Sequence, residues 1–311
     1  MNKNRVILDT DIGSDVSDLC AAFLYWQAAK KGYIHPQGVL LNTGNVQGLK
    51  CLALAQKYTT GNVNEIGALG TSFLNYSMNW KYTRYLVDEY QLAETAAQPY
   101  VPYFRKALAD APDQSVTIVC NGPMRGLAQL LQSEADEIAP LDGSRLIYKK
   151  VKKLIVSSGK FDTGKDLVYP RRSGWDVWSY TQTSMYIDWD VASARIVDDQ
   201  WPTLIEWVGC EVGHLNFSGE RFLKEASKDH PLWLAYHHFT KGSAHVSGPQ
   251  LALLMAISDF AKDVVLSPEG RVLMNNEGMT EFNPYPGGRD RRVMIETQKD
   301  IFKRIDELLL A

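Results

Sequence analysis

A chain of 311 residues is long enough for one large α/β domain or two smaller ones. Hydrophobic residues make up 45% and charged residues 22%, the proportions of a soluble globular protein with a sizeable core. The formal net charge of −3 argues against a general nucleic-acid binder, which carries a basic surplus, but leaves room for a nucleotide-sized ligand. No apolar run reaches the roughly 18 residues that span a bilayer, and nothing before Asp9 resembles a signal peptide. A cytoplasmic protein without membrane or nucleic-acid partners is therefore expected.

The pattern predicts a first strand at Arg5-Val6-Ile7-Leu8, running into the acidic loop Asp9–Asp18. Leu19, Ala22, Phe23 and Trp26 then fall at helical spacing, giving a helix from about Asp18 to Lys31. A second strand, Gly38–Leu41, ends in Asn42-Thr43-Gly44-Asn45, and another helix begins near Val46. Glu65–Leu69 reads as a short third strand, and Thr71–Pro99 as aromatic loop with some helix. A helix at Tyr103–Asp110 precedes the strand Ser115–Cys120, which stops at Asn121-Gly122-Pro123 before a helix from Met124 to Gln132. Lys153–Val156 is a fifth strand, stopping at Ser157-Ser158-Gly159. The segment Lys160–Trp189 reads as a long loop, of a length that is often functional. A helix at Asp190–Val197 and a strand at Pro202–Val208 follow. The remainder reads as mostly helical, with one β excursion near Arg271–Met274 and a closing amphipathic helix at Glu296–Leu309.

Strands alternating with helices imply an open, mainly parallel sheet with helices on both faces. No linker or repeat divides the chain, so one domain spanning 1–311 is expected. Cys20, Cys51, Cys120 and Cys210 form no Cys-x-x-Cys pair and lie in or beside apolar stretches, which suits buried thiols better than a zinc or disulfide framework.

Ligands of open parallel sheets bind beyond the carboxyl ends of the strands. Those ends are small or polar throughout, and most have a plain explanation as turns. The cluster Asp9, Asp11, Asp15 and Asp18 does not. Two carboxylates about 4 Å apart repel by roughly 4 kcal/mol at an effective dielectric near 20. A hard cation offsets that repulsion, and calcium, which takes six to eight oxygen ligands, suits an aspartate-only loop better than zinc. The bland alternative is that one aspartate caps the next helix and the others are solvated. The spacing is not that of an EF-hand, because a strand precedes it and no glutamate closes it.

The segment Val6-Ile7-Leu8-Asp9-Thr10-Asp11-Ile12-Gly13-Ser14-Asp15-Val16-Ser17-Asp18 resembles the acidic hallmark of the inosine–uridine-preferring nucleoside hydrolase family. Thr43-Gly44-Asn45, Val119–Met124 and Val208–Gly213 are similar to further family segments, and the resemblance extends from residue 5 to about 310. It implies the same α/β fold, hydrolysis of the N-glycosidic bond of ribonucleosides, and a bound Ca²⁺ that holds the ribose hydroxyls and the attacking water. By resemblance, Asp11 is a calcium ligand and the base on that water, Asp18 a second ligand and the Asn121 carbonyl a third. Asp15 ligates calcium or binds ribose, Asn45 holds a ribose hydroxyl, and Asp9 lies behind the ligands. A homo-oligomer is also implied.

Three positions depart from the family pattern. Ser17 stands where the family has an aspartate beside Asp18. The stretch Ala244–Leu251 lacks the family's C-terminal aspartate ligand, so calcium binding is expected to be weak or lost. Trp178–Ser184 lacks the glutamate and asparagine that hold the 5′ end of the ribose. His245, near the lost element, is a candidate leaving-group acid or else a surface or structural histidine. Trp178, with Trp175 and Tyr180, either stacks on a base or packs in the core. Arg171-Arg172 reads as a solvated pair or an anion contact. His237-His238 reads as a helix pair facing different ways. These features leave three readings: a calcium-dependent riboside hydrolase, a ribosyl-binding protein without turnover, and a hydrolase of a different ribosyl compound.

Overall fold

The computed structural model describes residues 3–13, 15–70, 81–161, 183–294, 296 and 300–311. In chain order the strands are β1 (Asn4–Thr10), β2 (Ile34–Leu41), β3 (Gly67–Ala68), β4 (Gln98–Pro99), β5 (Val116–Asn121) and β6 (Val151–Val156). They continue with β7 (Leu204–Trp207), β8 (Phe217–Ser218), β9 (His245–Val246), β10 (Gly270–Met274), β11 (Thr280–Pro284) and β12 (Asp290–Arg292). Ten of them form one sheet in the order β11-β10-β12-β7-β6-β5-β1-β2-β3-β4, and β8 pairs with β9 in a separate ribbon. From β12 to β4 every pairing is parallel, and only β10 runs against its neighbours.

Burial on both faces explains why residues 6–8 of β1, 118–120 of β5 and 154–156 of β6 are continuous apolar runs. Successive side chains of β1 serve opposite cores: Val6 and Leu8 join one, Ile7 the other. The first core takes the helices Val16–Lys30, Val46–Thr60, Pro231–Thr240, Gly248–Leu254 and Asp300–Leu310, and the second takes Tyr100–Ala109, Arg125–Leu131, Gly143–Lys150 and Val191–Gln200. Almost every residue of Val16–Lys30 is buried, so this helix is apolar around most of its circumference.

The β edge is larger than the sequence predicts. In place of one excursion there are three strands, and β12 joins the parallel sheet beside β7. Asp290-Arg291-Arg292 has no apolar alternation to announce a strand. It is tolerated there because Asp290 is fully buried against Arg271 (2.7 Å) and the Val272 N–H (2.8 Å). The end of the segment read as one long loop is also helical, over Met185–Trp189.

Beside β1, β2 carries a bulge: Val6 pairs with Pro36 and Ile7 with Gly38, leaving Gln37 between. Proline has no N–H to donate to the ladder, so a bulge is the natural response. The buried Tyr25 hydroxyl lies 3.0 Å from both the Val6 and Gly38 carbonyls and supplies a donor there. Tyr25→Phe should therefore destabilise the fold by about 1–2 kcal/mol, seen as a lower urea midpoint with an unchanged denaturant slope. An unchanged midpoint would show that the hydroxyl contributes nothing to the bulge.

Candidate active site

Pairing of Thr10 with both Leu41 and Asn121 brings the carboxyl ends of β1, β2 and β5 level. The acidic loop leaves β1 at this edge and turns into the helix Val16–Lys30. Asp9, Asp11 and Asp18 are all buried there, at 0%, 2% and 0% exposure, rather than solvated.

Asp9, still within β1, faces the core that holds Tyr100 and Cys120. Burial pushes its carboxyl group up to about 7, while nearby Tyr100, Asn42 and Cys120 pull the other way. Among the described residues, no hydrogen bond of ordinary geometry reaches either Asp9 oxygen or the Asn42 side-chain amide, which is itself fully buried. Gly122 closes this corner at φ +146°, and a Cβ there would come within 2.6 Å of Asn42 Oδ1 and 2.9 Å of Asp11 Cβ. The β5 turn can approach Asp11 only because Gly122 has no side chain.

Asp15 caps the helix: its Oδ1 accepts the Ser17 N–H at 2.7 Å, and its Oδ2 lies 2.8 Å from His245 Nε2. Burial alone would raise the Asp15 carboxyl, but the charge and hydrogen bond of His245, with the Ser17 N–H, hold it below the ordinary value. Asp18 behaves oppositely. Burial, then the charges of Asp11 and Asp15, push it well above the carboxylate range, and the Tyr186 hydroxyl partly opposes them. That hydroxyl donates across both Asp18 oxygens, at 3.2 and 3.0 Å.

Asn45 caps the helix Val46–Thr60 through Gln47 N–H and Gly48 N–H, both at 3.1 Å, and its Nδ2 donates to the Ile12 carbonyl at 3.2 Å. Its amide thus fastens the β2 turn to the acidic loop, and a ribose hydroxyl there would have to share these groups. Asn121 ends β5, with Nδ2 3.3 Å from the Pro249 carbonyl and a buried Oδ1 that has no hydrogen-bond partner among the described residues. Gln250, the next residue after Pro249, also buries an Oε1 without a partner among them.

The ribbon β8–β9 carries His245, whose ring stands edge-on to Phe239 at 5.3 Å. The two members of the His237-His238 pair face different aromatic partners, Trp233 and Tyr85. All four cysteines are free thiols, Cys20, Cys51 and Cys120 buried and Cys210 partly so. Trp178, together with Trp175, Tyr180 and Arg171-Arg172, lies outside the described residues. Sequence reasoning missed Tyr186 and Ser184. Ser184 ends the aromatic stretch searched for a glutamate and asparagine and Tyr186 follows it, and Ser184 Oγ lies 2.8 Å from Ser158 Oγ, just beyond β6. Their one signal was position, just before the helix cap Asp190.

Calcium requires six to eight oxygens with several carboxylates among them. Asp15 is turned to His245 and Ser17, Asp18 accepts Tyr186, and the element after β9 offers the neutral Gln250. Among the described residues no three His, Cys, Asp or Glu side chains are grouped to hold a metal ion. The set expected from Asp11, Asp15, Asp18 and Asn121 therefore does not close as a calcium site, because hydrogen-bond donors already occupy two of its carboxylates.

The architecture is that of the nucleoside hydrolases, shared at low sequence identity. The inosine–uridine-preferring nucleoside hydrolase of Bacillus anthracis is similar over 98% of this chain and 99% of its own, with a TM-score of 0.72 and 16% identity. A plant nucleoside hydrolase is similar over 99% and 98%, with a TM-score of 0.71 and 16% identity. The type III effector protein XopQ, solved with adenosine diphosphate ribose, is similar over 99% and 92%, with a TM-score of 0.61 and 15% identity. No family model and no curated protein sequence matches the chain. Among the described residues no helix is long and apolar enough to cross a membrane.

The raised Asp9 carboxyl gives a signed prediction. Between about pH 4 and pH 7 the folded chain keeps a proton at Asp9 that the unfolded chain has released. The Asp9 contribution to stability therefore falls with rising pH, by about 1.4 kcal/mol per pH unit across that window, and levels off above it. Asp9→Asn should flatten this slope in urea unfolding measured across the window. An identical slope in both proteins would place the proton elsewhere.

Proposed function

We propose that this chain receives the ribosyl group of a nucleoside or related N-riboside in the cleft at the ends of β1, β2 and β5, and hydrolyses its N-glycosidic bond. The observation that supports this most is the joint burial of Asp11 and Asp18 with Asp15 beside them, at the sheet edge where open α/β folds take ligands. Departure of a nucleobase leaves positive charge on the sugar, and preorganised carboxylates stabilise that charge. Asp11 takes a proton from water as the water oxygen bonds to the anomeric carbon. The carbon–nitrogen bond breaks with its electron pair going to the base, and His245, oriented by Asp15, gives that base a proton.

A second reading is binding without turnover. It is favoured by Tyr186 lying across Asp18 and by Ser17 standing where a diol-gripping carboxylate is expected. One pair of measurements separates the two readings. Calorimetry with a ribonucleoside panel and with adenosine diphosphate ribose reports binding, and release of free base reports cleavage. Saturable heat with base release supports hydrolysis, heat alone supports the second reading, and neither removes both. Asp11→Asn should lower any cleavage rate by about 10²–10⁴-fold while leaving the fold intact. Retained activity in that variant would contradict the role given to Asp11.

A further inference from the structure

Carboxylates gathered in a low-dielectric cleft need compensation, and two kinds are available: a bound cation, or hydrogen-bond donors delivered by the fold. Here the donors are present and come from segments far apart in the chain. Ser17 N–H and His245 Nε2 each address a different oxygen of Asp15, at 2.7 and 2.8 Å. Tyr186 sits symmetrically on Asp18, with its hydroxyl 3.2 and 3.0 Å from the two oxygens. A donor so placed occupies the approach that a divalent ion would use to grip that carboxylate in bidentate fashion. Both donors are held rigidly: Tyr186 is only 8% exposed on the Met185–Trp189 helix, and His245 is set by its strand and the Phe239 ring.

We propose that the Tyr186 hydroxyl and the His245 ring stand in this chain where related sites use a divalent cation, so that its buried aspartates are compensated without one. The proposal does not depend on the ribosyl reading, because its test contains no riboside.

The probes are calcium, followed by calorimetry, and terbium, followed by luminescence sensitised by nearby aromatic residues. The wild-type chain should show no saturable binding of calcium below about 1 mM, the weak end of protein calcium sites. Tyr186→Phe removes the hydroxyl while keeping the ring, and His245→Asn removes the imidazole from Asp15. Each should tighten terbium and calcium binding by roughly tenfold, because a competing charge-assisted hydrogen bond has been lost. Far-ultraviolet circular dichroism confirms that each variant keeps its fold. Stoichiometric calcium binding by the wild type below that limit would overturn the proposal. So would the absence of any gain in both folded variants. A gain in either one, with a silent wild type, supports it for that residue.

Discussion

The constraint on which this structure turns is electrostatic: several carboxylates are withdrawn from water at one end of a buried parallel sheet. Asp9, Asp11 and Asp18 lie within ten residues and are all essentially inaccessible. Such a loop would open towards solvent unless something offset its charge. The fifteen-residue helix that begins at Val16 supplies part of the answer, since its N-terminal N–H groups and dipole favour negative charge at Asp15. Specific donors supply more, and burial also favours the protonated forms of Asp18 and, below about pH 7, of Asp9.

The same electrostatics explains how the rest of the fold is arranged around the loop. His245 reaches Asp15 only because the ribbon β8–β9 holds it there, and Ser247 Oγ to Ser218 Oγ at 2.8 Å ties the ribbon's two strands further. The close approach of Gly213 to Gly248, where a Cβ on Gly213 would come within 2.8 Å of the Gly248 Cα, packs the helix after β7 against the helix after β9. Residues remote from the cleft thus decide how its charges are met.

Much of this was legible in the residues. The strands that are buried on both faces announce themselves as apolar runs, and their polar ends mark the carboxyl edge of the sheet. The acidic loop was legible as a cluster of aspartates at the end of the first strand. The plain alternative for that loop was half right: Asp15 does cap a helix, but its neighbours are buried and not solvated. What periodicity could not give was pairing across distance. Asp15 and His245 are separated by 230 residues, and Asp18 and Tyr186 by 168. Charged β12 stayed hidden for the same reason, since Asp290 belongs in a strand only once Arg271 is beside it. Asn45 carried a signal for two roles, because an asparagine before a helix is a cap whether or not it also meets a sugar.

If, as proposed, donors rather than an ion meet these charges, what an entering ligand must do changes. A ribose hydroxyl is both donor and acceptor, so it can take over the bond that Tyr186 or His245 makes to a carboxylate and leave the count of hydrogen bonds unchanged. An exchange of that kind is close to neutral in free energy, whereas stripping a carboxylate of its donor with no replacement costs the full desolvation of a buried charge. On the function proposed above, these donors would favour polyhydroxylated groups: an apolar ligand of the same size would displace them and strand the aspartates. Tyr186 and His245 hold Asp18 and Asp15 in place, and on the proposed function a ligand would have to replace them bond for bond.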